Sequence, residues 1–348
     1  MQADNYVLGM IGLGTMGRNL LLNMADHGFR VAGYDKDTAK VRQLADEAPQ
    51  GVQVKGFDDL KTFIGSLQKP RAVMMLVPAG KIVDNVIAEV APLLDAGDLI
   101  IDGGNSHFSD TNRRVVELSQ KGLHFFGMGI SGGEEGARKG PSMMPGGDEH
   151  AYNVVKHIFE AVAVKVKGEP CVTYIGPGAS GHFVKMVHNG IEYGIMQLLA
   201  ETYSFMQKGM SLSGTEMHGA FKKWNEGRLQ SFLVEITRDI LAYKVPGTDR
   251  LLLDDIKDEA RSKGTGKWTS QVAMDLQLPV TVIDTSVSMR DLSKYKSMRV
   301  TASSLYPSQP AIKPADSDKL LQSLEDALYF CTTVAYAQGM HLLSQASQ

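Results

Sequence analysis

One short segment carries four side chains that could move protons or hold polar groups. The segment GHFVKMVHNGIEYG, residues 181–194, contains Lys185, His188, Asn189 and Glu192 among mostly apolar neighbours. In a helix with about 100° between successive residues, the four side chains lie within about 100° of one another on one face. Burial lowers the pKa of an amine, so Lys185 could act as a base if this face is an active site. The alternative is an internal Lys–Glu network that ties the helix to a neighbour.

A second candidate site lies near the N-terminus. GMIGLGTMG places Gly12, Gly14 and Gly17 in the G-x-G-x-x-G arrangement, between an apolar run and a helical pattern. Such glycines allow a tight turn, approach of a pyrophosphate and close packing of a helix whose N-terminus favours the anion. Asp35 lies about 23 residues beyond Gly12, where a carboxylate can accept from both ribose hydroxyls. The predicted dinucleotide-binding residues are Gly12, Gly14, Thr15, Met16, Gly17, Asp35, Lys36, Val77 and Asn105.

Asp35 also bears on the choice of dinucleotide. A carboxylate at this position repels the 2′-phosphate of NADP, and its neighbours Lys36 and Asp37 supply only one nearby cation. We therefore expect NAD rather than NADP. Lys36 would become a phosphate partner if Asp35 turned away.

Three further segments have the composition of anion-binding sites. IIDGGNS places Asn105 after an apolar run, and GISGGEEGARKGPSMMPGG begins a glycine-rich segment at Ser131 that reads as a loop, where exposed N–H groups can hold an anion. RSKGTGKWT resembles an anion-binding turn but lacks the spacing of a phosphate-binding P-loop. A surface loop and a solvated helix end are the alternatives for these segments. Their candidate residues are Asn105, Ser131, Gly132, Gly133, Lys263, Thr265 and, further along the chain, Arg290.

The elements that must position these residues follow two patterns. Up to about residue 178, short β-branched runs such as YVLGMIG, RVAGYD, AVMMLVP and DLIIDGG alternate with helical patterns, which indicates a doubly wound parallel sheet. After IGPGASG the pattern is almost entirely helical. We therefore predict an α/β doubly wound Rossmann-type domain at residues 1–178, followed by an all-α domain at residues 179–348.

The composition is that of an ordinary soluble protein. The 348 residues carry a net charge of −3, which gives no basic field for nucleic acid or anionic lipid. No segment approaches the roughly 20 apolar residues of a membrane span, so we expect a cytoplasmic protein. Cys171 and Cys331 are far apart, and the sequence has no convincing spacing of metal ligands, so we expect neither a disulfide nor a bound metal.

In combination, these motifs resemble the decarboxylating 6-phosphogluconate dehydrogenase family of the pentose phosphate pathway. The similarity runs from GLGTMG through IIDGGNS, SGGEEGARKGPSMMPGG, GHFVKMVHNGIEYG and KGTGKWT to about Ala346. The glycine loop alone would indicate only a dehydrogenase, whereas the combination is highly specific.

The resemblance implies a role for each candidate residue. Lys185 would be the base that takes the proton of the C3 hydroxyl while hydride passes to the nicotinamide, and Glu192 would be the acid that protonates C1. The implied reaction converts 6-phosphogluconate to ribulose 5-phosphate and CO2 without a metal. The substrate's carboxylate and hydroxyls would contact Asn105, Ser131, Gly132, Gly133, His188 and Asn189, and its phosphate would contact Tyr193, Lys263, Thr265 and Arg290.

Two features depart from the family pattern. Many members have Asn-Arg-Thr in place of Asp35-Lys36-Asp37 and a lysine in place of Pro78, which supports the expectation of NAD. Long-form members also continue past the position of Gln348 into a tail that carries an arginine and a histidine into the partner subunit's site. The family implies a homodimer through the helical half, and here we expect one without that tail's clasp or its phosphate-binding cation.

Two other functions stay open at this point. A β-hydroxyacid dehydrogenase for an unphosphorylated acid would share Lys185 and Asn189 but would not account for Lys263, Thr265 and Arg290. An inactive protein that binds a dinucleotide or another ligand would fit if the tail is essential for turnover.

Overall fold

A computed structural model describes residues 5–262, 264–306 and 316–348. The chain divides into two compact units, Met1–Met186 and Val187–Gln348. The first is built on a mostly parallel sheet with helices, and the second is helical. The predicted fold class, a doubly wound Rossmann-type domain followed by an all-α domain, is confirmed.

In the described part of the first unit, seven strands form one sheet. They are β1 (Leu8–Ile11), β2 (Val31–Tyr34), β3 (Val54–Phe57), β4 (Ala72–Met75), β5 (Leu99–Asp102), β6 (His124–Ser131) and β7 (Ser142–Gly147). Their spatial order is β3-β2-β1-β4-β5-β6-β7; β1 to β6 run parallel, and β7 is antiparallel to β6. The order reverses between β1 and β4, which is where ligands bind in doubly wound sheets.

Helices cover both faces of this sheet. Successive residues in a strand point to opposite faces, and accordingly Met10 and Met74 belong to one buried cluster while Ile11 and Val73 belong to the other. The helices are α1 (Thr15–Asp26), α2 (Thr38–Glu47), α3 (Leu60–Gly65), α4 (Lys81–Val90), α5 (Phe108–Ser119), α6 (Gly133–Lys139) and α7 (Glu149–Val162), and a short hairpin of β8 (Lys165–Val166) and β9 (Glu169–Pro170) follows.

The glycine-rich segment that begins at Ser131 is not the loop that its composition indicates. Ser131 ends β6, Gly133–Lys139 is a helix, and Ser142–Gly147 is a strand. Its glycines allow close packing: a β-carbon placed on Gly146 would lie 2.1 Å from the backbone nitrogen of Gly181. The prediction of a loop was wrong because glycine was interpreted as flexibility where tertiary contact requires it.

The second unit is built from helices. The long helix α8 (Ser180–Ser204) begins in the first unit, continues into the second and ends in a π-helical turn, Phe205–Gly209. It is followed by α9 (Gly214–Asn225), α10 (Phe232–Ala242), α11 (Thr265–Asp275), α12 (Thr281–Ser293), α13 (Lys296–Leu305) and α14 (Ser317–Ala346). Among the residues that the structure describes, no helix is both long enough and apolar enough to cross a membrane.

The first turn of α8 touches the backbone of β6 and β7. A β-carbon on Gly181 would lie 2.2 Å from the carbonyl oxygen of Met144 and 2.6 Å from that of Gly127. No side chain fits at this crossing, so any substitution of Gly181 must move the helix away from the sheet.

We predict that Gly181→Ala lowers the free energy of unfolding by about 1–3 kcal/mol, the usual cost of overpacking. Gly219→Ala is the matched control, because Gly219 lies within α9 with open space around it, and alanine there should add about 0.5–1 kcal/mol. Urea unfolding of both variants measures the difference. Equal stability of Gly181→Ala and the parent protein would show that the crossing can relax.

Candidate functional site

The glycine loop lies between β1 and α1, and each glycine has its own steric reason. Gly12 has φ +94°, and a β-carbon there would lie 2.5 Å from the carbonyl oxygen of Leu76. A β-carbon on Gly17 would lie 1.9 Å from the carbonyl oxygen of Gly12. Gly14 has nothing within 4 Å of the same position, so the space before α1 is open. This open cradle fits a pyrophosphate against the N–H groups of a helix N-terminus.

A groove of about 480 Å³ lies beside this loop, within the first unit. Much of its remaining lining is apolar, including Leu60, Ile82, Val86 and Val90. The sequence-predicted residues that line it are Gly12, Gly14, Asp35, Lys36 and Val77. The others lie outside the lining: Thr15, Met16 and Gly17 form the first turn of α1, and Asn105 is exposed after β5.

Asp35 is held by the protein itself. Its carboxylate accepts the N–H of Leu13 at 2.8 Å and that of Asp37 at 2.9 Å, and it lies 3.4 Å from the amine of Lys40. Lys36 pairs with Glu89 at 2.8 Å. Lys40 also lines the groove, which therefore has two lysines, Lys36 and Lys40. Only Lys36 was expected from the sequence as a nearby cation.

A buried network fixes the loop that carries Asn105. Asp102, at the end of β5, accepts the N–H of Gly104 at 3.0 Å and the hydroxyl of Ser106 at 2.6 Å. The two residues that flank Asn105 are thereby held by one carboxylate.

Arg114, on α5, compensates this buried charge. Its guanidinium lies 3.5 Å from Asp102, donates to Asp84 at 2.8 Å and to the carbonyl of Gly80 at 3.1 Å. The hydrogen bond from Arg114, together with one from Arg113, holds the pKa of Asp84 below its usual value, although burial opposes this. The guanidinium thus connects the start of α4 to the end of β5.

The same loop is joined to α8 by His182, which the sequence analysis did not select. Its Nε2 lies 3.0 Å from the carbonyl oxygen of Asp102, and its Nδ1 lies 2.7 Å from the hydroxyl of Thr111. Burial lowers the pKa of His182, as does the nearby charge of Arg114, whereas Asp102 opposes the shift. The imidazole is therefore neutral, with Nε2–H donating to the carbonyl and Nδ1 accepting from Thr111. A histidine in the first turn of a helix gives no local signal of such partners.

Lys185 lies one turn after His182 and is buried, with 7% of its surface exposed. A β-carbon on Gly129 of β6 would lie 2.3 Å from the β-carbon of Lys185. The side chain of Lys185 therefore begins in contact with the backbone of β6. Ser131 lies two residues further along β6 and points to the same face as Gly129. Lys185 therefore packs against β6 two residues before the strand ends at Ser131.

Four of the remaining predicted residues meet within the second unit. Asn189 donates to the hydroxyl of Thr265 at 3.1 Å, and the guanidinium of Arg290 lies 3.7 Å from the ring centre of Tyr193. The hydroxyl of Tyr193 donates to Ser262 at 3.4 Å, a residue that the sequence analysis missed.

Glycines allow α8 and α11 to approach closely here. A β-carbon on Gly190 would lie 2.7 Å from Thr269, and one on Gly266 would lie 2.5 Å from the ring of Tyr193. The N-terminus of α11 therefore presents Thr265 beside α8. Lys263 lies outside the described residues.

The predicted helix over residues 181–194 is present, as part of α8. His188 and Glu192 are half-buried on it, and Nδ1 of His188 lies 3.2 Å from the side-chain oxygen of Asn189. Within residues 5–262, 264–306 and 316–348, no three His, Cys, Asp or Glu side chains are grouped closely enough to hold a metal ion.

The sheet order and the glycine loop place the chain among Rossmann-type dinucleotide-dependent oxidoreductases. Residues 7–176 match the family model described as the NAD binding domain of 6-phosphogluconate dehydrogenase, and residues 181–348 match its C-terminal domain. The decarboxylating 6-phosphogluconate dehydrogenase 1 of Saccharomyces cerevisiae is 49% identical over 350 residues, which cover 100% of this chain and 71% of the yeast protein. The chain belongs to the 6-phosphogluconate dehydrogenase family.

Two further relatives bear on the cofactor. The NADP(+)-dependent decarboxylating enzyme of Bacillus subtilis is 47% identical over 98% of this chain and 73% of its own length. The 6-phosphogluconate dehydrogenase of Plasmodium falciparum, solved in its apo form, with its cofactor NADP+ and with its substrate, has a TM-score of 0.93 and 41% identity, covering 98% of this chain and 74% of that one.

These relatives contradict the expectation of NAD and point to NADP. The expectation was wrong because it treated Asp35 as a free charge directed at the ligand. In the structure its oxygens are engaged by Leu13 and Asp37, and Lys40 partly offsets its charge.

The lowered pKa of His182 predicts a stability that falls in acid. Unfolded histidine has a pKa of about 6.5, so below that pH the unfolded chain takes up a proton that folded His182 does not. The free energy of unfolding should fall by up to about 1.4 kcal/mol per pH unit from this group, and the loss should be absent above about pH 7. Urea unfolding at pH 5.5, 6.5 and 7.5 should give a shallower pH dependence for His182→Gln than for the parent. Identical slopes would show that His182 titrates normally in the fold.

Proposed function

We propose that this chain catalyses the oxidative decarboxylation of 6-phosphogluconate to ribulose 5-phosphate and CO2, with reduction of NADP. The observation that carries the proposal is the burial of Lys185 against Gly129, two residues before Ser131. Family membership supports it, because relatives at 47–49% identity across the chain carry this activity in their names.

In the proposed reaction, Lys185 removes the proton of the C3 hydroxyl. NADP held in the groove that Lys36 and Lys40 line would supply the acceptor for the hydride that leaves C3. The resulting 3-keto acid loses CO2 because its carbonyl oxygen accepts the electron pair of the breaking bond, and the protonated lysine stabilises the oxygen charge that develops. Glu192 then protonates C1 of the enediol to give ribulose 5-phosphate. Burial of Lys185 excludes water, and this strengthens the interaction between the protonated amine and the charge that develops on the oxygen.

We propose that the group around Tyr193 binds the substrate's phosphate. Thr265 offers a hydroxyl at the N-terminus of α11, Tyr193 offers a second, and Arg290 supplies a cation held above the tyrosine ring. Lys263 is also proposed to contact the phosphate, on the family resemblance alone, because it lies outside the described residues. His188 and Asn189 are proposed to hold substrate hydroxyls.

We propose that Lys36 and Lys40 meet the 2′-phosphate of NADP. Both line the groove, and each is more exposed than the Asp35 carboxylate, so a ligand reaches the cations first. The division into domains at residues 1–178 and 179–348, the homodimer through the helical half and the cytoplasmic location remain predictions.

The proposed reaction predicts NADPH formation by the purified chain with 6-phosphogluconate. Lys185→Met should lower kcat about 1,000-fold, as expected when a general base is lost, whereas the surface variant Lys222→Met should keep the parental rate. The absorbance of NADPH measures both. Equal turnover of 6-phosphogluconate and gluconate by the parent would favour a dehydrogenase for unphosphorylated acids. Ligand-induced thermal stabilisation without turnover would favour an inactive binding protein.

The proposed phosphate contacts predict a cofactor-specific effect. Lys36→Ala and Lys40→Ala should each raise KM for NADP about 5- to 10-fold, corresponding to about 1–1.4 kcal/mol, and should leave KM for NAD unchanged. Lys61→Ala, which removes an exposed lysine of α3 outside the groove lining, is the control. An equal rise of KM for both dinucleotides would contradict the assignment of these lysines to the 2′-phosphate.

A further inference from the structure

Within the first unit, His182 is the side chain that joins helix α8 to the loop after β5. It is buried, with 2% of its surface exposed, and both ring nitrogens have partners on other elements. One partner is the carbonyl of Asp102 at the end of β5, and the other is the hydroxyl of Thr111 on α5. Neither partner belongs to α8, so the imidazole is a link between elements.

One end of this link carries the proposed base, Lys185, and the other carries Asn105, which the sequence analysis predicts as a substrate contact. Lys185 lies three positions after His182, one turn along the helix. Asn105 lies three positions after Asp102, between two residues that the Asp102 carboxylate holds. A displacement of the imidazole would therefore change the distance between the proposed base, Lys185, and the predicted substrate contact, Asn105.

We infer that His182 is a positioning residue, which holds the turn of α8 that carries Lys185 against the loop that carries Asn105. This inference rests on the proposed function for the reaction that it serves. The packing supports it, because a β-carbon on Gly127 would lie 2.5 Å from Nδ1 of His182, so the ring is confined against β6. A ring that is confined on one side and bonded at both nitrogens has one orientation.

The chemistry of the partners specifies which substitutions preserve the link. The carbonyl of Asp102 can only accept, so Nε2 of His182 must donate to it. Glutamine can place an N–H near the position of Nε2, whereas phenylalanine fills the space without a donor. His182→Gln therefore keeps the bond to Asp102, and His182→Phe removes both bonds.

The test compares these two variants with the parent and with His157→Phe, which makes the same change at an exposed position of α7. Turnover is expressed per NADP-binding site, so a loss of folded protein does not count as a loss of rate. His182→Phe should lower kcat per site about 10- to 100-fold with unchanged NADP affinity, the scale expected when a reacting group is misplaced. His182→Gln should return to within about threefold of the parent. A parental kcat in His182→Phe, or no recovery in His182→Gln, would overturn the inference.

Hydrogen exchange of residues 102–108, followed by mass spectrometry, gives a readout that needs no turnover. His182→Phe should speed exchange in this loop relative to His182→Gln while α14 exchanges at the parental rate; equal loop exchange in the two variants would overturn the inference.

If the parent itself forms no NADPH, the proposed function fails and the exchange comparison alone decides the link. If His182→Phe does not fold, Thr111→Val keeps the buried volume and should lower kcat per site about 3- to 10-fold; no change in either kcat or loop exchange would overturn the inference.

Discussion

The close contact between α8 and the strands β6 and β7 is the constraint on which the rest of the first unit's candidate site depends. Helices usually stand away from a sheet by the length of the side chains between them. Here the crossing points are glycines, among them Gly129, Gly146 and Gly181, and a β-carbon at any of them would overlap a neighbouring atom. The side chain of Lys185 therefore starts at the surface of β6, and the residue is buried with 7% of its surface exposed.

This contact also explains why a polar network is buried beside it. A helix that touches the sheet excludes water from the end of β5, so the polar groups there need protein partners. The carbonyl oxygen of Asp102 accepts a hydrogen bond from Nε2 of His182. Its carboxylate accepts hydrogen bonds from the N–H of Gly104 and the hydroxyl of Ser106. Such a network is costly if any member is lost, because the remaining groups stay buried and unpaired. The same property makes it a precise support for the residues attached to it.

The sequence predicts the features whose causes are local. The apolar runs of β1, β2, β4 and β5, the glycine loop and the one-sided polar face of α8 all follow from spacing within a few residues. The strand β7 and the helix α6 were missed because their glycines have a tertiary cause, and local propensity assigns glycine to loops. His182 was missed for a related reason: its partners lie 71 and 80 residues away, and nothing in its neighbourhood indicates them.

The expectation of NAD was wrong for a similar reason, because it used the local sequence around Asp35 without the tertiary contacts of its side chain. Four charged groups, Asp35, Lys36, Lys40 and Glu89, line the groove and sum to zero, so the field at a ligand depends on which of them lies nearest to it. The Asp35 side chain is 12% exposed, whereas those of Lys40 and Lys36 are 41% and 66% exposed. Coulomb interactions decay with distance, so a cation beside a bound phosphate outweighs a carboxylate that lies further away and already accepts two backbone N–H groups. A single acidic residue after the second strand therefore predicts ribose binding better than it predicts rejection of a 2′-phosphate.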